Sequence, residues 1–196
     1  MTKNIGILIF DDAEVLDFAG PFELFSVTSQ LNDHKTFNVF TLAKEQRIVI
    51  AVNGLKIHPD YSFDDHPAID ILIIAGGQGT RKLLTDTEFL QWVKKIHNTT
   101  ELTLSICSAS RVLGALGLLD HKPYCTHHQV YDHMLEIAPL GSPQKINDSF
   151  NQTSAFILQV ESQQVSTSHF ISLSISLGKI PPGIQQSIWN TITNHK

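Results

Sequence analysis

Cysteine is scarce in this chain of 196 residues: there are two, Cys107 and Cys125. They form no Cys-x-x-Cys pair, which excludes a zinc knuckle or a thioredoxin-type redox motif. A disulfide between them does not suit a reducing cytosol. A strong charge of one sign is also missing. The formal net charge is -5 and no Lys/Arg cluster stands out, so no basic field for nucleic acid is expected. No apolar run is long enough to span a membrane. The N-terminal "MTKNIGILIF" is followed by "DDAE", not by a small-residue cleavage site. It reads as a first strand, and a cytoplasmic location is the expectation. Repeats, low-complexity segments and linkers are lacking too. The ten histidines invite a metal, but His127, His128 and His133 in "THHQVYDH" match no standard zinc spacing. No metal and no cofactor are expected.

What is present is a globular composition, 42% apolar and 17% charged, long enough to bury a core as a single domain over residues 1–196. Apolar runs of strand length alternate with helical patterns. "IGILIF" (5–10), "FNVFTLA" (37–43), "DILIIAGG" (70–77) and "LTLSIC" (102–107) read as buried strands. Residues 20–31, 85–98, 108–119 and 129–138 read as helices. Pro21 suits a first turn, and Thr85 or Asp86 suits a cap. Residues 47–63 read as a hairpin around Asn53-Gly54, and 156–168 as a late strand or hairpin. Pro181 and Pro182 break any C-terminal helix into two pieces. Such alternation implies an α/β fold with a mostly parallel sheet covered by helices on both faces. Ligands bind such sheets at the carboxyl ends of the strands. "AGGQG" and "ICS" both fall there, in one crevice.

Three stretches could carry chemistry. Cys107 stands where a strand turns into a helix, the geometry of a nucleophile elbow. A helix N-terminus behind it favours a thiolate, although a small buried core cysteine fits the position equally well. The glycines of "AGGQGT" (75–80), Gly76 and Gly77, could offer N–H groups as an oxyanion hole, or merely form a strand-to-loop turn. Asp17 lies between Leu16 and Phe18 just ahead of a helix, as a reactive carboxyl or as a cap. Glu23 has a weaker claim. His127 could pair with Cys107 or be a polar loop residue.

Together, "LDFAGPFELF", "DILIIAGGQGTRKLL", "SICSASRVLGALGLLDHKPYCTHH" and, more weakly, "QVSTSHFISLSIS" resemble the ThiJ/PfpI superfamily, with its class I glutamine-amidotransferase-like fold. Within it the resemblance points to the isonitrile hydratase-like branch, which also includes the amidase-like domains of some transcription regulators. The resemblance implies a flavodoxin-like three-layer sandwich, with one such domain over the chain. It implies that Cys107 is the reactive cysteine, that Asp17 is its acidic partner, and that Ser108 stands where the branch usually has threonine. Gly77 matches the glycine pair facing the cysteine, and His127 matches a histidine of varying role. PfpI-type proteases carry histidine directly after the cysteine. Ser108 stands there instead, which disfavours peptidase activity.

The chain departs from the family at several positions. Ala75 replaces a proline, Ala109 a glycine and Arg111 an apolar residue. His169 and Phe170 replace small residues and Ser176 an acid, so bulk could narrow or fill the pocket. No helix-turn-helix follows before Lys196, which disfavours a regulator.

The expectation is therefore a cofactor-free hydratase, of isonitriles in the first instance, working on a small-molecule substrate as a homodimer. Cys107 attacks as a thiolate of depressed pKa, far more reactive than Cys125, and Asp17 donates the proton. The alternatives are a redox or stress-response protein with an oxidisable cysteine, and an inactive binding module.

Overall fold

The computed structural model describes residues 2–144, together with the backbone of 156–162 and 169–173. The chain opens with strand β1 (Lys3–Leu8), helix α1 (Val15–Gln30) and strand β2 (Phe37–Leu42). A small hairpin, β3 (Val49–Ile50) and β4 (Lys56–Ile57), comes next. Then follow β5 (Ile71–Ile74), the short helix α2 (Thr80–Leu83), α3 (Thr87–His97) and β6 (Leu102–Ile106). Beyond β6 lie α4 (Ser110–Ala115), β7 (Pro123–Tyr124), α5 (Tyr131–Ile137), β8 (Ser142–Pro143), β9 (Phe156–Ser162) and β10 (His169–Leu173).

The main sheet has the order β10-β9-β6-β5-β1-β2. β2, β1, β5 and β6 are parallel, whereas β9 runs antiparallel between β6 and β10. The sheet is mainly parallel, with helices around it, and its order has the flavodoxin-like switch between β1 and β5. From β1 the chain first steps outward to β2 through α1, and later in the opposite direction from β5 to β6 through α3. Right-handed crossovers in opposite directions place the two helices on opposite faces. Such covering is why β5 and β6 are buried at every residue and read as continuous apolar runs. Ile5, Ile7, Ile71, Ile73, Leu104 and Ile106 form the middle of the core.

Some boundaries differ from those read in the sequence. Helix α1 begins at Val15, so Pro21 lies inside it, and Asp17 sits in its first turn instead of ahead of it. Asp86, not Thr85, caps α3 by accepting from the Phe89 N–H at 3.0 Å. The Asn53-Gly54 turn does form a hairpin, closed by the Ala51 N–H donating to the Leu55 carbonyl at 2.8 Å, with Asn53 and Gly54 both at positive φ, 61° and 83°. Its paired strands are only two residues each. The helix expected over 108–119 is shorter, a 3-10 turn at Cys107–Ala109 followed by α4. Of the late hairpin, 156–162 is strand β9, while 163–168 lie outside the described residues, as do Ser176 and the Pro181-Pro182 tail. The side chains of His169 and Phe170 are outside them as well. Among the described residues, no helix is long and apolar enough to cross a membrane.

Candidate functional site

Three loops leave the carboxyl ends of the adjacent strands β1, β5 and β6 and converge. The first carries Asp11 to Glu14 into α1. The second is Ala75-Gly76-Gly77, and the third begins at Cys107. They are stitched together by backbone bonds. The Glu14 N–H donates to the Gly76 carbonyl at 3.0 Å, and Ala13 pairs with Gly77 in an isolated bridge.

Cys107 has φ of +54°, in the left-handed region that L-residues other than Asn and Asp seldom enter. The strand-to-helix seam is therefore a sharp elbow. Thr126 holds it from behind, donating through Oγ1 to the Cys107 carbonyl at 3.1 Å. The thiol is half-buried, and Cys125 is buried.

Gly76 lies between the acid and the thiol. A Cβ there would stand 2.5 Å from Asp17 Oδ2 and 3.0 Å from the Cys107 Cβ, so only glycine lets the two groups flank it this closely. The Gly76 N–H donates to Asp17 Oδ2 at 3.0 Å, and the Gly77 N–H donates to Ser108 Oγ at 2.8 Å. The Ser108 hydroxyl in turn donates to the Gly77 carbonyl at 3.1 Å. Both glycine N–H groups are thus engaged within the protein. The expectation that they serve as oxyanion donors is corrected on that ground: they hold the acid and the hydroxyl in place.

Asp17 is buried, and burial pushes its carboxyl up to about 7 against the downward pull of the Gly76 N–H. Burial, and next the Asp17 carboxylate, push the Cys107 thiol up to about 12, with Ser108 pulling the other way. This overturns the expected thiolate of depressed pKa. Lost water and a neighbouring carboxylate outweigh the short helical segment, a 3-10 turn running into α4, behind the sulfur. Cys125 is likewise pushed up to about 12 by burial.

A cavity of about 300 Å³ opens in front of Cys107 and Ser108. His127 lines it, with burial, His128 and Arg111 holding its imidazole below the usual value. Its Nδ1 accepts from the Gln129 N–H at 3.4 Å. Glu14, Arg81, Arg111 and Gln129 also line the cavity, and none of them was a candidate from sequence. Glu23 is not among its lining residues. His127 and His128 stack at 4.2 Å, and His133 faces Arg111 instead. Among the described residues, no group of three His, Cys, Asp or Glu side chains could hold a metal.

A flavodoxin-like α/β fold with a cysteine elbow over a buried carboxyl defines the class. The description "DJ-1/PfpI family" matches residues 3–169, and the chain belongs to that family. It is similar to the isonitrile hydratase of Pseudomonas putida, 25% identical over 192 residues, or 93% of this chain and 82% of the relative. It is also similar to the HTH-type transcriptional regulator GbdR of Pseudomonas aeruginosa, 28% identical over 137 residues. That stretch is 70% of this chain but 37% of the regulator. Among solved structures, a ThiJ/PfpI family protein from Pseudomonas syringae is similar at 25% identity and TM-score 0.65, covering 74% of this chain and 58% of that one. Drosophila melanogaster DJ-1beta shares the fold, at 16% identity and TM-score 0.58.

Proposed function

We propose that the protein is a cofactor-free, cysteine-dependent hydratase that adds water to a small electrophilic carbon, with an isonitrile as its substrate class. One observation carries the reading: Asp17 and Cys107 flank Gly76 closely, Cys107 lines the cavity, and burial holds the Asp17 carboxyl up at about 7. The likeness to an isonitrile hydratase over 93% of the chain supports it.

An isonitrile carbon needs a nucleophile and a proton, and the net addition is of S–H. Sγ of Cys107 bonds to the carbon while Asp17 gives that carbon its proton and takes up the thiol proton. The product is a thioimidate with a new C–S and a new C–H bond. Water then adds to the same carbon, the C–S bond breaks, and an N-substituted formamide leaves with the thiol restored. The Ser108 N–H, beside the sulfur, is the proposed backbone donor. His127 is a candidate for orienting the water. A thiol pushed up to about 12 gives little thiolate, which counts against the redox reading. The likeness to GbdR favours, as a second reading, a module that binds a ligand without turning it over.

The test is formamide production from methyl isocyanoacetate, followed by proton NMR across pH. The donor is the protonated acid, so kcat/KM stays level below about pH 7 and falls about tenfold per pH unit above it. A profile level from pH 5 to 9 removes Asp17 as the donor. Tight binding with no formamide at any pH establishes the second reading.

A further inference from the structure

Arg111 is the largest fully buried side chain among the described residues, 1% exposed, yet it lines the cavity in front of Cys107. Its Nε donates to His133 Nδ1 at 3.1 Å and its Nη1 to Thr80 Oγ1 at 3.0 Å. Both acceptors are uncharged: burial, then Arg111 and Arg81, keep His133 below its ordinary pKa. A guanidinium has five N–H donors and does not give up its charge in proteins. No carboxylate pairs with it among the described residues. The fully enclosed polar side-chain atoms that lack a partner there are Ser105 Oγ and Tyr124 Oη. Nη2 of Arg111 is not one of them and makes no hydrogen bond among the described residues, so it keeps some exposure, and the cavity is the open space that Arg111 lines. Arg81, exposed on α2, adds a second cation to the same wall. Glu14 also lines the cavity and forms no salt bridge with either arginine among the described residues.

A buried charge without a counter-charge is costly, and a ligand that supplies one is selected strongly over a neutral analogue that leaves it unpaired. Arg111 stands, moreover, where the resembling family has an apolar residue. We propose that the cavity takes an electrophile bearing a small anionic group, a carboxylate first of all, which the Arg111 guanidinium receives with Arg81 at the rim while the reacting carbon faces Cys107. The covalent chemistry rests on the hydratase reading, whereas the anion preference can be read without it.

The test compares alkylation of the whole protein by iodoacetate and by iodoacetamide at pH 7, with peptide mapping of Cys107. In both reactions Sγ displaces iodide and the thiol proton goes to solvent. The urea-unfolded chain gives the intrinsic ratio of the two rates. Folding should raise the iodoacetate-to-iodoacetamide ratio about tenfold, the scale of one charge-assisted hydrogen bond. Propionate should slow iodoacetamide labelling of Cys107, and propionamide should not. Arg111→Met should bring the ratio back to the unfolded value, and Arg111→Lys should keep part of it. Should Arg111→Met fail to fold, the wild-type ratio and the propionate protection decide alone. The same ratio folded and unfolded, with no protection by propionate, overturns the proposal.

Isocyanoacetate and its methyl ester separate the two readings. If both are hydrated at the same kcat/KM, the anion site is wrong and the hydratase stands. If neither is hydrated while the labelling ratio holds, the anion site stands and the hydratase is wrong.

Discussion

Asp17 concentrates the site's energetics in one residue. Its carboxyl moves from 3.8 to about 7 on burial. Below pH 3.8 the folded and unfolded chains both hold the proton, and its contribution is level. Between 3.8 and about 7 the unfolded chain loses the proton first, so stability falls as pH rises, and the decline ends above about 7. The full span is on the order of 4 kcal/mol. Asp17→Asn keeps an acceptor for the Gly76 N–H but cannot ionise. Urea midpoints should therefore show the variant gaining on wild type from pH 4 to about pH 7 and levelling off by pH 8. A constant difference across that range would mean that Asp17 ionises normally in the folded protein. Leu16 and Phe18 on either side of Asp17 pointed to an apolar setting and a raised carboxyl, but not to what buries it. Pro21 suggested that the helix starts later, and the burial comes from loops 59 residues away, through Gly76.

At the scale of elements, the elbow was the most legible feature. An apolar run, a cysteine and small residues in direct succession can hardly form anything but a strand turning into a helix. What the run could not reveal was the sign of the thiol's shift. That depends on Asp17, delivered by a different strand, and on the shortness of the 3-10 turn behind the sulfur. The φ of +54° also makes a stability prediction. Cys107→Ala keeps the left-handed strain, whereas Cys107→Gly relieves it. The glycine variant should unfold at higher denaturant than the alanine variant, by about 1 kcal/mol, with neither hydrating an isonitrile. Thermal or urea unfolding of the pair checks this. An alanine variant more stable than the glycine one would show that the elbow relaxes once the thiol is gone.

For the whole molecule, the fold was readable because alternating strands and helices, each fully apolar or one-sided, have few ways to pack. The site was readable only in part. Its key residues come from the ends of β1, β5 and β6, and Arg111 meets Thr80 and His133 from segments 31 and 22 residues away. A homodimer is proposed on the family resemblance. Leu16, Val27 and Leu31 lie exposed along one stripe of α1 and its end, which suits a covered face. Light scattering at micromolar concentration should give twice the 21.8 kDa chain mass, and a clean monomer would exclude it.

The central claim is a bond between the Cys107 sulfur and the substrate carbon, made with a proton that Asp17 manages. Its most direct test is mass spectrometry of the protein acid-quenched during turnover of methyl isocyanoacetate, with peptide mapping of the adduct. The account predicts one added substrate mass on the peptide holding Cys107, none on that of Cys125, and no formamide from Cys107→Ala. Formamide produced by the Cys107→Ala protein at the wild-type rate would contradict it.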